Sequence, residues 1–88
     1  MYEIVKCKLR MVKYDTSVSG MVKITRCTET GRVWLGAVVA DSGNCIAAIE
    51  RPTDSVEAAE REFYTMLEKT VTQAYSHALH KHKLREGQ

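Results

Sequence analysis

DSVEAAEREFYTMLEKTVTQAYSHALHKHKL, residues 54–84, is a long stretch with a single clear period. Val56, Ala59, Phe63, Met66, Leu67, Thr70, Val71, Ala74 and Ala78 recur at steps of three and four, the mark of one helical stripe that packs against another layer. Glu62, Thr65, Lys69, Thr72, Gln73, Ser76 and His80 make the opposite, polar side. Pro52 and Thr53 lead into Asp54, whose carboxylate can accept from free backbone N–H groups, with Glu57 three residues on as in a capping box; Thr53 is nearly as good a cap. Asp54, Glu57, Glu60 and Glu62 near the start, and His77, His80, Lys81, His82, Lys83 and Arg85 near the end, complement the helix dipole.

Working back from that helix, the preceding residues read as strands. Val5, Cys7, Leu9 and Met11 alternate with Lys6, Lys8 and Arg10, which predicts a half-buried strand with one wet or partner-facing side. Residues 14–20 read as a turn or mobile loop, and Met21 to Thr28 as a second strand. Glu29, Thr30 and Gly31 make a tight connection in which Gly31 suits a positive φ. Val33 to Ala40 is apolar on both parities and is expected to be central and buried on both faces. Asp41, Ser42, Gly43 and Asn44 supply a hairpin loop, and Cys45 to Ile49 a fourth short strand.

Short connections make neighbouring strands antiparallel, so the expected fold is α+β: residues 1–88 as one domain, a four-stranded antiparallel meander with one long C-terminal helix on one face. Four strands span nearly 20 Å, counting edge side chains, against about 10–12 Å for a helix. A helix of roughly thirty residues is about 45 Å long, against about 25 Å for strands of seven or eight residues. The helix is therefore expected to cover one face only in part, and its last turns to overhang the sheet, fray or meet another molecule.

The apolar content of 44% with 27% charged residues is that of a globular protein rather than a disordered one. Lys6, Lys8 and Arg10 interrupt the first segment, which does not read as a signal peptide, and no apolar run approaches a membrane span. Cys7, Cys27 and Cys45 are odd in number, widely spaced and strand-bound, which suits a reducing compartment, and the cytoplasm is the expected location.

Five dispersed glycines give no phosphate-binding loop, and no nucleophile, base and oxyanion donor are brought together by spacing, so neither catalysis nor a cofactor is expected. His77 and His80 stand one turn apart, but no carboxylate or thiol follows at a step that would complete a metal site. The leading expectation is a small non-enzymatic protein-binding module, an adaptor or inhibitor and a homodimer, of the kind found among accessory proteins of phages and mobile elements. It would act through an uncovered sheet face, the C-terminal helix, or both. Trp34, Ile4 and Val12 are the expected apolar contacts, Lys6, Lys8 and Arg10 share that face, and His77 and Lys81 mark the helix end. The alternative is a nucleic-acid-binding module in which Lys6, Lys8 and Arg10 contact phosphates and Trp34 stacks on bases, although a net charge of +2 supplies little general attraction.

Overall fold

The computed structural model describes residues 1–86; Gly87, Gln88 and the side chains of Arg85 and Glu86 lie outside it. The chain folds as the expected α+β meander: β1 (Tyr2–Val12), β2 (Asp15–Cys27), β3 (Val33–Asp41) and β4 (Asn44–Thr53) form one antiparallel sheet in the order β1-β2-β3-β4, and α1 (Val56–Glu86) packs on one side of it. Its Cα atoms span 52 × 23 × 17 Å, an elongated two-layer body.

The strands are longer than their local patterns predict. Residues 15–20 belong to β2 instead of forming a mobile loop, and only Lys13 and Tyr14 separate β1 from β2. Val18 is fully buried under the helix, and the Tyr14 ring packs 5.3 Å from those of Tyr75 and His82, so this polar stretch is held in the sheet from above. At 13 residues, β2 is about 43 Å long, close to the roughly 46 Å of the 31-residue helix. The expected overhang is therefore absent: helix and sheet run side by side.

Turn chemistry follows the sequence more closely. Ser42 and Gly43 both have positive φ (52° and 83°), the two-residue primed turn whose twist suits a hairpin, and Gly31 sits at φ 74°. The helix cap is one residue later than expected: Ser55 Oγ accepts from Ala58 N at 3.1 Å, the third amide of the helix, so Ser55 and neither Asp54 nor Thr53 fills that role.

Ala59, Phe63, Leu67, Thr70, Ala74 and Ala78 are the buried stripe of α1. The core beneath it falls into two clusters. Phe63, Leu67 and Ala59 pack on Val22, Ile24, Val33, Leu35 and Ala37; Ala74 and Ala78 pack on Val12, Val18 and Val39. Between them the helix backbone comes down onto Gly20, where an added Cβ would lie 3.2 Å from the backbone C and O of Thr70. Two apolar clusters joined by a narrow waist fix the helix lengthwise as well as laterally.

Candidate functional site

The helix lies chiefly over β2 and β3, and no element among the described residues covers the other side of the sheet. Register assigns each residue to a side. Val22, Ile24, Leu35 and Ala37 face the helix, so Met21, Lys23 and Thr25 of β2 and Trp34, Gly36 and Val38 of β3 face away. In β1, Cys7 pairs with Lys23, Leu9 with Met21 and Met11 with Ser19, and all three share that open face. In β4, Ala48 pairs with Val38, Glu50 with Gly36 and Pro52 with Trp34, completing it. One row across the sheet is thus Leu9, Met21, Val38 and Ala48, apolar throughout. Leu9 is 49% exposed and Met11 59%.

Lys6, Lys8 and Arg10 are not on this face. They pair with Ile24, Val22 and Gly20 and flank the helix, and the Lys6 ammonium stands 5.0 Å from the Phe63 ring centre and 4.7 Å from that of Tyr64. A β-bulge between Ile4 and Lys6 reverses the parity, so Ile4 does lie on the open face while Lys6, Lys8 and Arg10, of the same sequence parity, do not. Val12 is also corrected: at 4% exposure it belongs to the core beneath Ala74 and Ala78. Trp34 faces away from the helix and is half-buried, with the Arg32 guanidinium 5.7 Å from its ring centre. Ile4 and Trp34 are brought together on either side of Thr25, which is only 8% exposed despite lying on the uncovered side. The expectation that β3 is buried on both faces holds fully on the helix side alone; on the open side Gly36 is buried, while Trp34, Val38 and Ala40 are half-buried.

At the sheet's other end, His77 and Lys81 meet partners within the chain. The Lys81 ammonium donates to Ser17 Oγ at 3.2 Å and Asp41 Oδ1 at 3.1 Å, and lies 3.4 Å from Asp15 Oδ2. His77 Nε2 is 3.0 Å from Asp41 Oδ2. His82 Nε2 approaches Asp15 Oδ2 at 3.2 Å without the geometry of a hydrogen bond. The His77 contact, followed by Lys81, holds the Asp41 carboxyl well below the usual carboxylate range. The Ser17 hydroxyl and amide, helped by Lys81, bring Asp15 down to about 2, while partial burial opposes them. The lysine ammonium occupies the centre that a bound cation would take between the two carboxylates. This cluster ties the last turns of α1 to the hairpin ends. Nothing local announces it, because Asp41 lies 36 residues from His77 and 40 from Lys81.

No group of three or more His, Cys, Asp or Glu side chains is arranged to hold a metal among the described residues. No described helix is long and apolar enough to cross a membrane. Comparison with protein-family models, with curated proteins and with solved structures finds no match in any of the three.

Proposed function

We propose that this chain is a non-enzymatic protein-binding module, an adaptor or inhibitor of the reducing cytoplasm, that works through its open sheet face. The inverted parity of β1 carries this reading. In a sheet with one wet side, apolar residues point to the core and polar ones to water. Here Cys7, Leu9 and Met11 point away from the helix layer while Lys6, Lys8 and Arg10 point toward its flank. The apolar side of β1 continues into Met21, Val38 and Ala48 across all four strands, and contiguous apolar surface of this extent marks an interaction site. Trp34 and Ile4 supply larger anchors at one end of the face. The three free cysteines, two of them exposed, suit a compartment in which thiols stay reduced.

The test is a photo-crosslinking amino acid placed at Leu9 in the producing cell, with Lys69 on the outer side of the helix as control. Covalent protein adducts are expected from position 9 and not from position 69. Equal yields, or none from position 9, overturn the reading.

A second reading is favoured by the flank of β1. Lys6, Lys8, Arg10 and Lys13 make no ion pair among the described residues, and the half-exposed rings of Tyr64 and Tyr75 border the groove that Arg10 and Lys13 line. Cations beside exposed rings are the elements of single-strand nucleic-acid binding. Trp34 would take no part, since it lies on the opposite side of the sheet.

A further inference from the structure

We propose that the occupant of the open face is a second copy of this chain, packed sheet to sheet about a two-fold axis that runs along the strands between β2 and β3. The proposal rests on the reading of that face as a protein-binding surface and names its partner. Three features of the face support it: its area, its gradient of side-chain size, and its single charged row.

Four strands at about 4.8 Å and some nine residues at about 3.3 Å give a face of roughly 600 Å² before side-chain relief is counted. That approaches the ~800 Å² per partner of a stable interface. The face is also graded in size. β1 presents Ile4, Leu9 and Met11, whereas β4 presents Cys45 and Ala48 at the same levels as Met11 and Leu9. An axis along the strands lays β1 of each copy on β4 of the other, large on small, and overlaps all four strands. An axis across the strands would set large on large at one edge and small on small at the other, which packs poorly.

Lys23 and Glu50 are the only charged residues that register places among these rows, and they lie on either side of Gly36. A Cβ at position 36 would meet nothing closer than the Ile49 carbonyl at 3.6 Å, with Lys23 Cε at 3.7 Å and Glu50 Cγ at 3.8 Å. The fold itself does not need a glycine there, and an interior strand glycine marks a place where something approaches closely. The proposed axis sets Lys23 over Gly36 of the partner subunit, beside Glu50 of the partner subunit, so each buried ammonium meets a carboxylate.

The experiment is sedimentation equilibrium of the purified full chain at micromolar concentration and physiological salt. Wild type is expected to be dimeric. Leu9→Glu should be monomeric with an unchanged circular dichroism spectrum, since Leu9 is already half-exposed in the monomer. Lys23→Glu and Glu50→Lys should each weaken the dimer by about tenfold or more, and an equimolar mixture of the two should associate about as tightly as wild type, because each interfacial pair is then restored between chains. A monomeric wild type, a dimer indifferent to Leu9→Glu, or a mixture no tighter than its components overturns the proposal. If the purified chain is monomeric while crosslinking from position 9 captures a different protein, this inference fails and the protein-binding reading stands; a monomer without adducts removes both.

Discussion

Gly20→Ala is the substitution whose outcome depends most directly on how the helix meets the sheet. An added methyl would sit 3.1 Å from Thr70 Cγ2 and 3.2 Å from the Thr70 backbone C and O. Rotation of the threonine side chain relieves the first contact but neither of the others, so the helix itself must rise by a few tenths of an ångström at the waist between the two core clusters. Overpacking of that kind costs about 1–3 kcal/mol. Restricting the unfolded chain offsets about 0.4–1 kcal/mol. The net expectation is a loss of about 1–2 kcal/mol, or a Tm lower by roughly 5–15 °C for a domain of this size. Gly36→Ala is the internal control: its methyl would make only ordinary contacts, so the same change should be neutral or stabilising by up to about 1 kcal/mol. Both belong in the Leu9→Glu background, where association does not contribute to stability. Urea denaturation followed by circular dichroism measures both. Should Gly20→Ala match or exceed its parent in stability with an unchanged m-value, the close approach of α1 to β2 is wrong.

Three further outcomes are expected. Asp15 and Asp41 have folded-state pKa values depressed below those of the unfolded chain, so their contribution is complete above about pH 4 and is lost as pH falls toward about 2; hydrogen-exchange protection factors in the last turns of α1 should fall in that window, and Lys81→Met should make that fall smaller, because it brings the folded pKa values back toward the unfolded ones. Ser55→Ala should cost about 1 kcal/mol by loss of the helix cap, with Asp54→Ala costing less, as thermal unfolding of the pair would show. Under the nucleic-acid reading, three phosphate contacts give a slope near −2 for log affinity of a labelled oligonucleotide against log salt; neutralising Lys6, Lys8 and Arg10 should flatten it, and lack of binding at low salt ends that reading.

Element types and their order were legible because each rests on a local signal. The 3.6-residue period of α1 and the primed turn at Ser42 and Gly43 needed no tertiary information. Strand length was not legible, because Thr16, Ser17, Ser19 and Gly20 carry turn-like chemistry and only Val18, buried by a helix more than fifty residues later, shows why they extend. The face of Lys6, Lys8 and Arg10 is not legible either, because strict alternation over residues 6–11 leaves open which parity meets the helix, and here Cys7, Leu9 and Met11 face away from it. The bulge between Ile4 and Lys6 leaves no mark in the sequence and alone puts Ile4 on the same face as those three. Of the expected contact residues, Ile4 and Trp34 share the open face, Val12 went to the core, and His77 and Lys81 were taken by carboxylates that sequence spacing could not pair with them.

The width of the helix explains why β1 is patterned as it is. A rod of about 10–12 Å centred over β2 and β3 cannot roof the edge strands, so the helix-facing side of β1 lies in a flank open to water. Long cationic side chains suit that flank, and the Lys6 ammonium stands over the rings of Phe63 and Tyr64 there. They also guard an edge strand against unwanted pairing. On the other side Leu9 is continuous with the apolar row of Met21, Val38 and Ala48 and matches that row rather than water. Both sides of β1 therefore obey the ordinary rule of like with like, but only if the open face has something apolar to meet. Of the layers that suit this pattern, the described residues supply the sheet and one roof; in the proposed dimer the second copy supplies the other.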